Sequence, residues 1–163
     1  MYKKILVPLD GSEVGEAALP SVEELLAAFG PEKKVEVTLL QVVTDVTHLI
    51  VATGGLGEAV AVPYTETELE HLKKQAMAYL NKVGKSLKKN KGVVVKSMVR
   101  VGANAANGIL TASDETKADL IAISTHGRSG ISRWAFGSVA DKVLRGGNTP
   151  VLMVRAKKKI KPV

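Results

Sequence analysis

Short apolar runs alternate with helix-like patterns along nearly the whole chain, and this alternation constrains the fold more than any other feature of the sequence. Five runs are typical of buried strands: residues 3–8, 35–43, 93–102, 119–124 and 150–155. Four other segments place apolar residues three and four positions apart: 13–29, 69–87, 103–118 and 137–145. Strands and helices in this order predict an α/β protein with one open, five-stranded parallel sheet, helices on both faces and right-handed crossovers.

The first predicted helix contains a residue that should disturb it. Ser12 is placed to cap the free amides of a helix that begins at Glu13, and Gly30 followed by proline should end it. Pro20 would then fall inside the helix, where its missing N–H removes a hydrogen bond. We therefore expect a bend or an interruption near Pro20.

Residues 44–64 are too many for an ordinary connection between a strand and a helix. They include Gly54, Gly55, Gly57 and Pro63. We expect a mobile flap or a small helix in this segment, and the sequence does not place it further.

Size and composition favour one domain. The chain has 163 residues, of which 45% are hydrophobic and 24% charged, as in ordinary globular proteins. It contains no cysteine, which excludes disulfide frameworks, thiolate metal sites and cysteine nucleophiles. The first apolar run is short and is broken by Pro8, so no signal peptide or membrane span is readable. We expect a cytoplasmic protein.

Most of the excess positive charge lies at the C-terminal end. The formal net charge is +7, and residues 155–163 contribute five of these charges, which leaves +2 for the remainder. We therefore expect one domain over residues 1–156 and a basic tail over 157–163. Such a tail can bind nucleic acid, but a solvated chain end accounts for the same charge, so nucleic-acid binding is kept as the lesser alternative.

The segment after the fourth predicted strand has the composition of an anion-binding loop. Residues 124–138 read STHGRSGISRWAFGS. Gly127 and Gly130 would let main-chain amides approach an anion, while Gly137 and Ser138 would begin a helix whose free amides favour phosphate. The turn after the first strand, PLDGS, would lie beside this loop if the two strands are neighbours. A plain surface turn with Ser138 as a helix cap explains the same residues.

Motifs of better-known nucleotide enzymes are missing. No G-x-x-x-x-G-K-[ST] occurs, and the G-x-G at residues 55–57 lacks a third glycine and does not directly follow a strand. His126 has no identifiable carboxylate partner, and His48 and His71 show no metal-ligand spacing. We therefore expect a binding protein without catalytic residues rather than an enzyme.

Taken together, these segments resemble the universal stress protein family from Lys3 to Arg155. The segments ILVPLDGS, TLLQVV, RVGANAANGIL and the stretch from DLIAIS to VLMVR carry the resemblance in that order. The nucleotide-binding members show G-x-x-G, nine residues and then G-[ST]. This chain has residues 124–127, nine residues, and then Gly137-Ser138, with Ser124 where the family usually has glycine.

The resemblance implies the strand order 3-2-1-4-5 and a Rossmann-like fold of the adenine nucleotide alpha hydrolase type. It also implies a homodimer and a bound ATP, or ADP or AMP, in a stress-response or signalling module with at most slow hydrolysis. The apolar edge of the fifth strand is the surface we expect to pair in a dimer. An adenylating enzyme of the same architecture is the alternative, although LDGSEVG matches poorly the glycine-rich loop that such an enzyme would need.

The same resemblance implies a set of nucleotide contacts. On the base and ribose side they are Pro8, Leu9, Asp10, Val42 (through its main chain), Ile123 and Ser124. On the phosphate side they are His126, Gly127, Arg128, Gly130, Gly137, Ser138 and Val139. Asp10 is also a candidate Mg²⁺ ligand, although an aspartate in this turn can equally bond to its own neighbouring amides.

Overall fold

Strands and helices follow one another along the chain much as the sequence predicts. The computed structural model describes residues 2–44, 47–51, 59–125 and 137–156, and for residues 47–51 and 59–61 it describes only the backbone. The strands are β1 (Lys4–Pro8), β2 (Val35–Val43), β3 (Thr47–Val51), β4 (Ala59–Pro63), β5 (Val93–Val101), β6 (Leu120–Thr125) and β7 (Val151–Arg155). The helices are α1 (Ala18–Phe29), α2 (Glu66–Leu87), α3 (Ala105–Thr116) and α4 (Ser138–Gly146).

Five strands form one parallel sheet in the order β5-β2-β1-β6-β7. This is the predicted order 3-2-1-4-5, with β1 in the centre, paired with β2 on one side and with β6 on the other. The chain leaves β1 toward β2 and later returns to the opposite side, so the strand order reverses between β1 and β6. In open parallel sheets this reversal leaves a crevice at the carboxyl ends of the strands.

The sheet is buried on both faces. Alternate residues of β1 point to opposite sides: Ile5 and Val7 belong to one apolar cluster, and Leu6 belongs to the other. The first cluster includes residues of α1 and α2, and the second includes residues of α3 and α4. Strands that are covered on both faces need continuous apolar runs, which explains the patterns ILV and TLL in the sequence.

The prediction for the start of the first helix is wrong. A short 3-10 turn, Gly15–Ala17, precedes α1, which begins only at Ala18 and has no side-chain cap. Pro20 is therefore the third residue of the helix, where its missing N–H has no intrahelical partner to lose. A helix from Glu13 would place Pro20 in its interior and lose a hydrogen bond. The later start removes the expected interruption.

The expectation of a flap or a small helix between residues 44 and 64 is also corrected. The described parts of this segment are the strands β3 and β4, which pair antiparallel with Thr47 opposite Pro63 and Val51 opposite Ala59. Their β-branched composition favours strands over a helix. Gly54, Gly55 and Gly57 lie outside the described residues.

Capping groups fix the limits of the next two helices. The Thr65 hydroxyl accepts a hydrogen bond from the Glu68 amide while the Glu68 carboxylate accepts one from the Thr65 amide, which is a capping box at the start of α2. At the start of α3, the Asn104 side-chain oxygen accepts a hydrogen bond from the Asn107 amide. Within the described part of the chain, no helix is both long enough and apolar enough to cross a membrane.

Two connections depend on glycine. Gly92, which precedes β5, has φ +79°, and a Cβ there would lie 2.4 Å from the Lys33 carbonyl oxygen. Gly30, which ends α1, has φ +77° but open space around the Cβ position. Gly102 follows β5 with neither a positive φ nor a neighbour within 4 Å of its Cβ position. A comparison of substitutions at these three glycines can therefore distinguish the effect of backbone strain from the effect of steric collision.

We predict a graded loss of stability when each of these glycines becomes alanine. Gly92→Ala should lower the free energy of unfolding by about 2–4 kcal/mol, because strain and collision add. Gly30→Ala should lower it by about 1–2 kcal/mol through strain alone, and Gly102→Ala should change it by less than about 0.5 kcal/mol. Urea unfolding followed by circular dichroism measures all three, and equal values for Gly92→Ala and Gly102→Ala would contradict the described turn.

Candidate functional site

A cavity of about 190 Å³ lies at the carboxyl ends of β1 and β6, where the strand order reverses. Nine of the thirteen residues that the sequence predicts as nucleotide contacts lie within the described residues, and all nine line it. They are Pro8, Leu9, Asp10, Val42, Ile123, Ser124, Gly137, Ser138 and Val139. The structure thus brings together residues from four separate elements. Their role as ligand contacts stays a prediction.

The other four predicted contacts belong to the segment between β6 and α4. His126, Gly127, Arg128 and Gly130 lie outside the described residues. The glycine spacing that points to phosphate can therefore be assessed in the structure only at its two ends, Ser124 and Gly137.

Sequence reasoning missed six residues that complete the wall. These are Val14, Gly15, Leu40, Ala105, Ile109 and Ala140. Ile109 is predicted to face inward, but an apolar residue that lines a cavity has the same sequence pattern as one that fills a core. Only the packing separates the two.

The apolar end of the cavity depends on a close contact between α3 and β2. Gly108 faces Val42, and a Cβ at position 108 would lie 2.9 Å from both methyl groups of Val42. A glycine within a helix is usually unfavourable, but here it lets α3 approach the strand. Leu40 and Ile109 are almost fully buried beside Val42. These residues form an apolar slot at this end of the cavity.

The polar end of the cavity contains the start of α4. Gly137 is the N-cap residue and provides no side chain, so the alternative in which Ser138 caps the helix is wrong: Ser138 is the first helical residue. The first hydrogen bond along the helix joins the Asp141 amide to the Gly137 carbonyl. The amides of Ser138, Val139 and Ala140 consequently have no intrahelical acceptor. Free amides and the positive end of a helix dipole favour an anion.

Asp10 takes part in a turn and also lines the cavity. Its Oδ1 accepts hydrogen bonds from the Ser12 amide at 3.0 Å and from the Ser12 hydroxyl at 2.6 Å. The Ser12 Oγ in turn accepts one from the Gly15 amide at 3.0 Å. The turn interpretation of Asp10 is thus confirmed, and it fixes the carboxylate at the cavity wall. Among the described residues, no three His, Asp or Glu side chains are grouped as a metal site.

Ser124 connects the ends of the two central strands. Its hydroxyl donates a short hydrogen bond to the Val14 carbonyl, which lies in the turn after β1. Both residues line the cavity. A glycine at position 124 could not make this bond. The serine therefore holds the wall formed by Val14 and Gly15 against β6.

Comparison with known proteins agrees with this architecture. The model of the universal stress protein family matches residues 1–155. The universal stress protein MJ0577 of Methanocaldococcus jannaschii is 34% identical over 165 aligned residues, covering 96% of this chain and 97% of the relative. The solved structure of MJ0577 superposes with a TM-score of 0.69 at 29% identity, covering 98% of this chain and 99% of the other.

Two more distant solved structures share the fold. One is a universal stress protein in complex with cAMP, with a TM-score of 0.61 at 21% identity over 94% of this chain and 97% of the other. The second is a universal stress protein from Archaeoglobus fulgidus in complex with dAMP, with a TM-score of 0.56 at 20% identity over 94% of this chain and 98% of the other.

We predict that Ser124→Ala loosens the turn after β1. Loss of the bond to the Val14 carbonyl should lower the free energy of unfolding by about 1 kcal/mol. It should also accelerate amide hydrogen exchange at residues 15–17, while exchange in β5 is unchanged. Ser86→Ala is the matched control, because the Ser86 hydroxyl bonds only to a carbonyl of its own exposed helix. Unchanged exchange at residues 15–17 would show that the serine does not hold this turn.

Proposed function

Because the chain belongs to the universal stress protein family, we propose that it binds an adenine nucleotide, with ATP as the preferred form, in the cavity between β1, β6, α3 and α4. One observation carries the proposal. The free amides at the start of α4 and the apolar slot against α3 line the same cavity. An adenine nucleotide has the same two parts, a flat base and a phosphate, joined by a sugar.

The base is proposed to occupy the apolar slot. Leu40, Val42 and Ile109 would contact its faces, and the main chain of Val42 would contact its edge. Ligand pockets are usually apolar with a few fixed polar groups, which is how this slot is built. Asp10 and Ser124 line the same cavity and are proposed to contact the ribose.

The phosphates are proposed to lie at the start of α4. The amides of Ser138 and Val139 would bind the phosphate nearest the sugar, since no side chain of the N-cap competes for them. We propose His126, Gly127, Arg128 and Gly130 as the remaining phosphate contacts. A Mg²⁺ ion would need ligands from the phosphates, because Asp10 is the only acidic side chain among the described residues of this cavity.

The relatives support the nucleotide class. A relative in complex with cAMP and one in complex with dAMP both hold an adenine base, a sugar and one phosphate. In this chain, that shared portion is proposed to occupy the slot, the wall at Asp10 and the start of α4. ATP would add two phosphates. The choice of ATP therefore rests on the further phosphate contacts proposed for His126, Gly127, Arg128 and Gly130.

We propose a cytoplasmic stress-response or signalling role in which the bound nucleotide changes assembly or partner binding. Hydrolysis is expected to be slow at most. Asp10 is the only titratable side chain among the described residues of the cavity, and its Oδ1 is already bonded to Ser12. General-base catalysis needs a group within reach of the attacking water at a suitable pKa, and these described residues provide no second candidate.

The open edge of β7 is proposed to form a homodimer. β7 pairs only with β6 in the five-stranded sheet. The Ala156 amide donates to the Thr125 carbonyl of β6. Because amides alternate between the two sides of a strand, the Arg155 amide points to the open edge. Such amides can pair with a second copy of the chain.

The proposed class of ligand, adenine nucleotides, is tested by mass spectrometry of nucleotides released from freshly purified, denatured protein. The proposed site is tested by calorimetric titration of the Ser138→Glu variant with AMP and with adenosine. A carboxylate at the first position of α4 should repel phosphate and weaken AMP binding by about tenfold or more, since the same position favours anions. The same change should leave adenosine binding within about twofold, because adenosine has no phosphate.

Thermal unfolding separates this effect from misfolding. An acidic residue in the first turn of a helix is favourable, so the melting temperature of Ser138→Glu should not fall. Ser86→Glu on α2 is the control, because it adds the same charge at a position that does not line the cavity. Equal weakening of AMP and adenosine, or no change for either ligand, would refute phosphate binding at α4.

We predict that Arg155→Pro weakens the proposed dimer by about tenfold, because proline removes the open-edge amide without removing a bond to β6. Arg155→Ala, which keeps that amide, should leave dimerisation within about twofold. Size-exclusion chromatography with light scattering measures both across a range of concentrations. A monomer at all concentrations in the unmodified protein would exclude the dimer, and equal effects of the two variants would exclude the β7 edge.

A further inference from the structure

A second cavity, of about 560 Å³, lies beside the first on the α2 side of the sheet. Asp10 and Val42 line both cavities. The wall from α2 consists of Leu72, Gln75, Ala76 and Tyr79, which share one face of that helix. Its volume falls within the usual range for small-molecule sites. No sequence pattern described above predicts this cavity.

The second cavity has more hydrogen-bonding side chains than the first. Gln41, Thr44, Tyr64, Gln75 and Tyr79 line it together with Asp10. The amide oxygen of Gln41 is buried and has no hydrogen-bond partner among the described residues. A buried acceptor without a partner is unfavourable. A hydrogen-bond donor in this cavity, with a small rotation of the amide, would satisfy it.

The electrostatics of this cavity favour a cation. None of the described residues that line it is basic. Behind its wall, the Tyr79 hydroxyl donates a hydrogen bond to Glu16 Oε1 at 3.1 Å. Burial raises the pKa of Tyr79 strongly, and Glu16 and the charge of Asp10 raise it further, against a smaller opposing effect of the Gly11 amide. Two carboxylates therefore act on Tyr79, which lines the cavity.

Two tyrosine rings complete the chemical character of the wall. Tyr64 lies in the connection between β4 and α2, and Tyr79 lies on α2. Aromatic rings attract organic cations, and the attraction grows when a carboxylate is near. A phosphate or carboxylate ligand would meet Asp10 without a described basic residue to compensate.

We propose that this second cavity binds a small organic ammonium ion that carries a hydroxyl or another hydrogen-bonding group. The ammonium group would lie near Asp10 and the tyrosines, and the polar group would bond to Gln41 or Gln75. The proposal does not depend on nucleotide binding, because the ammonium ion uses the α2 side of Asp10 and none of the α4 amides.

Choline and two isosteres test the proposal on nucleotide-free protein by NMR titration. Choline is the cation, 3,3-dimethyl-1-butanol has nearly the same shape without charge, and 3,3-dimethylbutyrate is the anion. Choline should shift the amides of Gly11, Thr44 and Tyr79 in a saturable way and leave Ser138 and Val139 unmoved. The neutral alcohol should bind at least about fivefold more weakly, and the anion should not bind.

A pair of lysine variants tests the position. Gln75→Lys puts a positive charge on the cavity wall and should weaken choline binding by about threefold or more. Ala78→Lys adds the same charge to an exposed position of α2 that does not line the cavity. Its affinity for choline should stay within about twofold of that of the unmodified protein.

Three results of these titrations would overturn the proposal, and a fourth comes from adding AMP. The first is that choline gives no saturable shifts at Gly11, Thr44 and Tyr79, and the second is that the alcohol binds as well as choline. The third is that the two lysine variants are indistinguishable. Added AMP distinguishes the two sites: shifts at Ser138 and Val139 with choline still bound support separate cavities, and full displacement of choline places it in the first cavity and overturns the proposal. If AMP does not bind, the proposal of nucleotide binding is wrong, but the proposal of choline binding is unaffected.

Discussion

The hydrogen bonding of β1 to a parallel neighbour on each side is the constraint on which the rest of the structure depends. Ile5, Leu6 and Val7 are almost completely buried, with successive side chains in the two opposite layers. If β1 were at an edge, one side of its backbone would remain unpaired and open to solvent. The strand order β5-β2-β1-β6-β7 keeps its backbone paired and covered.

This arrangement also determines where ligands can bind. The helix that follows β1, α1, packs on one face of the sheet, and the helix that follows β6, α4, packs on the opposite face. The cavity lies at the carboxyl ends of these two strands, where the strand order reverses. Ser124 and Asp10 define the resulting walls with bonds to Val14 and Ser12. The site is thus shaped by main-chain geometry more than by large side chains.

Much of this structure could be predicted from local sequence patterns, and the failures have physical causes. The five sheet strands are recognisable because strands covered on both faces need unbroken apolar runs. The start of α1 was misplaced because Ser12 resembles a helix cap, whereas its hydroxyl bonds to Asp10 and Gly15 within a turn. β3 and β4 pair with each other although a glycine-rich segment separates them in the sequence. The local sequence of each strand indicates this pairing only weakly, because strand propensity depends on context.

The candidate site shows a different limit of sequence reasoning. Gly137 and Ser138 can be predicted because a glycine-rich loop before a helix is typical of anion binding, and Asp10 because its turn after the first strand resembles that of the family. Leu40 and Ile109 were not, since a residue that lines an apolar slot has the same pattern as one in a packed core. A glycine such as Gly108 is unfavourable within a helix, and its contact with Val42 explains it here. Whether a cavity exists is decided by packing between elements that are distant in sequence.

The two cavities share a wall but differ in the groups beside it. The first cavity contains the free amides at the start of α4, whereas in the second Asp10 is accompanied by Tyr79, which bonds to Glu16. A carboxylate lowers the local potential on both sides, but among the described lining residues only the first cavity has a helix terminus to oppose it. The proposed anion site and the proposed cation site differ in this helix terminus. Because Oδ1 of Asp10 accepts two hydrogen bonds from Ser12, the carboxylate is held at the wall that the two cavities share.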